Sequence, residues 1–211
     1  MNSGIFEIGT EISCLTFANW ASGIDSRIAQ VIAEGRGGGN TPRGAGWMKA
    51  GPVLLAPNSN SAIYRVPDRG GKPATVSRLE PDLPDWSHRF PIALPDGRHF
   101  LYTGWSNNLA TLRTQGGIFL GSLDGAPGRK LLNDTSSVAF AEPGWLLLRR
   151  NDRLVAVPFD LKTLQPGPEA IPIDTDEMYQ ANAGVLPVSV SGRGDLIYAV
   201  GQASALTTTH W

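Results

Sequence analysis

Cysteine is almost missing from this chain. Cys14 stands alone, which excludes an intrachain disulfide and any cysteine-built metal cluster. Histidine is nearly as scarce: His88, His99 and His210 are the full set, without HxH or HExxH spacing. Excess charge is absent as well. Eighteen basic against nineteen acidic residues leave a formal net charge of −1, far from the basic footprint of a nucleic-acid binder. No apolar run approaches the roughly 20 residues of a membrane-spanning helix. The opening MNSGIFEIGTEIS has neither the basic start nor the continuous apolar stretch of a signal peptide. No segment holds a 3.6-residue apolar period long enough to predict a helix.

Turn-formers are what the chain has in quantity, with 25 Gly and 16 Pro in 211 residues. Its 41% hydrophobic content and six tryptophans argue for a folded chain over a disordered one. The clearest unit runs from Phe90 to Leu132. Phe90–Leu94 leads into Pro95-Asp96-Gly97-Arg98, where proline presets one backbone angle and glycine supplies the positive one. His99–Thr103 and Ile118–Leu123 alternate in the manner of strands, Asp124-Gly125 makes a second tight turn, and Arg129–Leu132 closes the unit.

The same pattern recurs on either side. Gly46–Lys49, Val53–Ala56, Ile63–Pro67 and Ala74–Leu79 form one unit. Val138–Ala141, Trp145–Arg149, Leu154–Phe159 and Glu169–Ile173 form another, with Trp47 and Trp145 expected in the core. Val188–Ser191, Leu196–Val200 and Leu206–His210 make an incomplete one. Repetition at 40–50 residues with four strands per unit predicts a propeller, with a β-sandwich as the competing architecture. The expected fold is therefore all-β: a partial β-propeller of about three full four-stranded blades plus a partial one. The blades fall near 43–82, 88–133, 137–173 and 184–211, after an N-terminal segment, 1–42, with a strand remnant in it.

Strand parity sorts the connections by face. Turns joining first to second and third to fourth strands share one face and are tight. The remaining loops, Pro57–Ser61, Glu80–Arg89, Gly104–Gly117, Asn133–Ser137 and Asp174–Gly184, share the other and are long. Binding residues tend to sit on loops held by a rigid scaffold. Tryptophan, tyrosine and arginine favour interface hot spots. Partner-binding candidates at or near that face are Trp86, His88, Arg89, Trp105, Asn107, Asn108, Arg150 and Tyr179. Between blades, Ser87 and His88 are expected to hydrogen-bond, since buried polar groups need partners. His99, beside a turn, is expected to be exposed.

The runs SHRFPIALPDGRHFLY (87–102), GIFLGSLDG (117–125), LLAP…IYRVPDRGGKPATVSRL (54–79) and LVAVPFDLKTLQPGPEAIPI (154–173) resemble TolB-like, WD-repeat-like propeller repeats. They are most similar to the region that follows the kinase domain in bacterial serine/threonine protein kinases. The resemblance covers roughly residues 35–211 and implies a propeller whose repeats mediate protein contacts. Complete members carry more blades, so the chain is expected to be a fragment or half of an assembled propeller. Attachment to a membrane-anchored kinase would imply an extracytoplasmic position; the sequence itself assigns no compartment.

Catalytic signatures are wanting. HRD, DFG and APE do not occur, nor does GxSxG. Gly35–Gly46 lacks the GK[ST] of a phosphate loop. Asp174, Asp176 and Glu177 lack the spacing of a calcium loop. The expected innermost strands, Phe90–Leu94 among them, supply almost no acidic or basic residues. The expectation is a non-catalytic interaction or sensing module without cofactor or metal. Its partners would be a protein, the missing blades of its parent, or a second copy paired through open strand edges. The alternatives are a severed kinase sensor region and a propeller-pocket hydrolase or lyase.

Overall fold

Turns and strands of two to eight residues alternate along the described residues, and the tight turns close antiparallel hairpins. A computed structural model describes residues 42–49, 51–68, 71–83, 85–173, 184–191, 194–200 and 205–210. At Pro95–Arg98, Gly97 has φ +72° and the Asp96 carboxylate accepts from the Arg98 and His99 amides, both at 2.9 Å. Those bonds fix the turn, and the turn fixes the register of the strands it joins.

The first sheet holds β1 (Ala45–Trp47), β2 (Val53–Leu55), β3 (Tyr64–Val66) and β4 (Ala74–Thr75). The second holds β5 (Trp86–Ala93), β6 (His99–Ser106), β7 (Gly117–Ser122) and β8 (Arg129–Leu132). In the third, β9 (Ala139–Ala141), β10 (Trp145–Arg150) and β11 (Arg153–Asp160) are joined by two short outer strands. These are β12 (Gln165–Pro166) and β13 (Ile171–Pro172), both paired to β11. The fourth holds β14 (Val188–Val190), β15 (Asp195–Val200) and β16 (Ala205–His210). Every pairing is antiparallel, and full four-stranded meanders are followed by a shorter one. The chain is a partial β-propeller.

Side-chain alternation explains why the central strands look apolar throughout. In β6, Phe100 and Tyr102 point to the first sheet and join Met48, Leu54, Ile63 and Val76. Leu101 points the opposite way and joins Leu146, Leu148, Val155 and Val157 of the third. Leu147, between those leucines, turns to Leu196 and Tyr198 of the fourth. A strand buried on both faces reads as a continuous hydrophobic run. Two sheets packed face to face alone would bury a single inner face of each, so the stacked series excludes a sandwich.

Some expectations need correction. Between β6 and β7 the anticipated loop contains a helix, α1 (Leu109–Gln115), whose first turn is capped by the Asn108 side chain. None of its residues is buried, so it has no apolar stripe for a sequence to display. Trp47 is 40% exposed instead of core, and Trp145 is half-buried. His99 is half-buried beside the Asp96 carboxylate, its Nδ1 2.5 Å from Oδ2. The strand remnant expected before residue 41, the acidic loop at 174–177 and Tyr179 lie outside the described residues. Among the described residues, no helix is long and apolar enough to cross a membrane.

Candidate functional site

The second sheet's innermost strand begins earlier than its apolar content suggests. β5 starts at Trp86, so Trp86-Ser87-His88-Arg89 is strand. This tetrapeptide is polar yet buried, with Trp86, Ser87, His88 and Arg89 between 0% and 4% exposed. Backbone bonds hold it against the first sheet: His88 N donates to the Ser61 carbonyl (2.9 Å) and Phe90 N to the Arg43 carbonyl (2.7 Å).

His88 is a clasp between blades. Its Nε2 accepts from Trp86 Nε1 at 3.2 Å, so in the neutral ring the proton sits on Nδ1. Nδ1 lies 2.7 Å from Ser77 Oγ, which also accepts from the Ile63 amide at 2.8 Å. Burial lowers the His88 pKa to about 4, keeping the ring neutral. A histidine that donates to a serine cannot take that serine's proton, so the pair is no nucleophile and base. Ser87 bonds within its own blade instead, its hydroxyl 3.4 Å from the Trp105 carbonyl.

Arg89 is the unusual member. At 1% exposure its guanidinium lies over the Trp105 ring, 4.9 Å from the centroid. Its Nε donates to Ser87 Oγ (3.0 Å) and its Nη2 to the Ser59 carbonyl (3.5 Å). No carboxylate pairs with it among the described residues. Burial, with the positive charge of Arg43 as the smaller contribution, lowers its pKa to about 10. Beside it the strand bulges: pairing slips between Arg89 and Ile92, and Phe90 takes φ +53°. Bulges re-aim side chains, and a bulky residue in the left-handed region carries strain that the surrounding packing must offset.

Two neighbours of Arg89 have donors with no acceptor among the described residues. Arg43 Nε and Trp105 Nε1 are buried and lack partners among the described residues. Around Trp105 the long loops converge, as the parity of the strands predicts. A Cβ on Gly184 would come within 2.5 Å of the Trp105 ring and 2.8 Å of the Thr135 carbonyl. The Ser137 amide donates to the Gly184 carbonyl at 2.6 Å. First-sheet, second-sheet and later loop residues thus meet at one end of the inner strands.

The other candidates lie apart from this cluster. Asn107 and Asn108 are exposed, Asn108 being engaged as the helix cap. Arg150 is held by both oxygens of Asp134, at 2.9 and 2.6 Å. An open groove of about 330 Å³ lined by Pro52, Arg65, Asp68 and Lys72 sits at the tight-turn end of the first sheet, away from the buried polar groups. Sequence reasoning did not single out Arg43 or Ser59. Arg43 stands among glycines, and its main-chain bonds to Ala56 and Phe90 show where it belongs.

No family model matches the chain, and no curated protein matches it by sequence. Solved structures do. Regucalcin from Agrobacterium tumefaciens, a calcium-binding protein, superposes with a TM-score of 0.58 at 17% identity, over 82% of this chain and 57% of its own. A luciferin-regenerating enzyme superposes with a TM-score of 0.51 at 12% identity, over 81% of this chain and 63% of its own. The chain has the fold of the β-propeller proteins. It spans less than two thirds of the length of either. The likeness reaches the propeller and not the TolB-like or kinase-linked repeats.

This likeness overturns the expectation of a chain without catalysis, because a luciferin-regenerating enzyme is among the proteins that share the fold. The physical reason is the length of β5. With Phe90 as its first residue the innermost strand looked free of charge, whereas the true strand contains Arg89. A cation, by contrast, finds no home at this cluster: two guanidiniums repel calcium. Among the described residues, no group of three or more carboxylate, histidine or cysteine side chains could hold a metal.

Proposed function

We propose that this chain is part of a propeller enzyme acting on a small molecule at the long-loop end of its first two blades, in the manner of a propeller-pocket hydrolase. One observation carries the reading: Arg89 is buried without a carboxylate partner among the described residues, on a strained bulge, at the inner end of a scaffold strand. A charge in that position does nothing for folding that an apolar side chain would not do better. Strained backbone and perturbed ionisable groups cluster where chemistry or binding takes place. The fold shared with a luciferin-regenerating enzyme supports the reading. Arg43 and Arg89 would stabilise negative charge developing on a substrate oxygen. His88 is held in the wrong tautomer to act as a base.

The test is turnover of carboxylic ester and phosphoester substrates by the wild-type protein and by Arg89→Met. Loss of about a hundredfold or more in rate is expected for the variant. Absence of turnover by the wild type, or equal rates in both, would sink the reading.

A second reading rests on the Pro95-Asp96-Gly97 and Leu123-Asp124-Gly125 turns. They support a TolB-like propeller within a longer, kinase-linked polypeptide, where the same end would report a bound ligand. A kinase reading frame adjoining this one in the DNA would favour it.

A further inference from the structure

The donors around Arg89 outnumber their acceptors. Arg43 Nε and Trp105 Nε1 have no partner among the described residues, although each belongs to a half-buried side chain whose polar atom is shut away from water. Arg89 spends Nε on Ser87 and Nη2 on the Ser59 carbonyl. Both side chains carry positive charge, and neither is paired with a carboxylate among the described residues. Packing alone does not explain this. Leaving buried N–H groups unpaired is costly, and placing two guanidiniums within electrostatic reach adds to the cost.

One kind of guest relieves every part of that cost. We propose that Arg43, Arg89 and Trp105 form a binding site for the oxyanion of a small molecule, a carboxylate or a phosphate. Such a group accepts several hydrogen bonds at once, and its charge offsets the two arginines. The indole N–H and the guanidinium N–H groups are donors only, so the site rejects neutral donors and cations. Ser87 and the Ser59 carbonyl hold Arg89 in place, while the Trp105 ring supports its face through the cation–π contact. Gly184 is suited to its place because a side chain there would strike the indole ring. This assignment rests on the long-loop end being the working end of the propeller and names the chemical class of its substrate.

The test needs no turnover. Nitrogen-15 labelled protein is titrated with inorganic phosphate and, separately, with acetate, against sodium chloride at matched ionic strength. The indole N–H resonance missing from Trp105→Phe reports the site. A saturable shift of that resonance with either oxyanion, but not with chloride, is expected. Arg43→Gln and Arg89→Met, checked for native backbone spectra, should weaken it about tenfold or more, with Arg43→Lys intermediate. A response to phosphate alone or acetate alone identifies the source of the oxyanion. No saturable shift, an equal shift with chloride, or undiminished binding in both arginine variants would overturn the site. Binding without hydrolysis would leave it standing and remove the hydrolase reading instead.

Discussion

His88 reaches across the seam from the second sheet to the first and places its Nδ1 2.7 Å from the Ser77 hydroxyl. Trp86 fills the other ring nitrogen, so the imidazole is spent on joining two blades.

Acid should therefore loosen this joint. Unfolded, His88 takes up a proton below about 6.5; folded, it stays neutral down to about 4. Between those values the unfolded state binds more protons, so stability falls as pH drops through the window, by up to about 3 kcal/mol. Urea midpoints at pH 7 and pH 4.5 measure this. His88→Gln should lose most of the difference; equal slopes in the two proteins would refute the assignment.

Ser77→Ala removes the acceptor of two buried donors, the Ile63 amide and His88 Nδ1–H. A cost of about 2–6 kcal/mol is expected, from two groups at about 1–3 each. A change under about 1 kcal/mol in chemical denaturation would mean that the hydroxyl is not the acceptor both groups rely on.

Arg89→Met should behave in the opposite way. Replacing an uncompensated buried charge by an apolar chain of similar reach is neutral or stabilising by about 1–4 kcal/mol. Thermal and urea unfolding check this. A large loss would make Arg89 a structural member of the blade and weaken its claim to a substrate.

Leu146 and Leu147 separate two seams. Each is fully buried, Leu146 toward the second sheet and Leu147 toward the fourth. Either change to alanine should cost about 2–5 kcal/mol. Hydrogen exchange should tell them apart: Leu146→Ala speeds the amides of Leu101 and Leu120, Leu147→Ala those of Leu196 and Tyr198. The same pattern from both would contradict the alternating packing.

The architecture was legible because its determinants are local. Glycine at the Pro95–Arg98 and Asp124-Gly125 turns, and period-two spacing between them, needed no partner to be recognised. The site was less legible because it is made by the contact of blades. Trp86-Ser87-His88-Arg89 reads as loop by polarity; as strand it is buried because Ser59, Ser61 and Ser77 of the neighbouring blade meet its polar groups. Helix α1 left no mark because it buries nothing, and Trp47 misled because aromatic content does not say which end of a strand meets water.

The bonds from His88 N to Ser61 O and from Phe90 N to Arg43 O are made by peptide groups alone. No substitution short of proline can delete them. Lineages descended from this chain are thus free to rewrite the side chains lining the join, and so to trade one ligand for another, while the two blades stay in register.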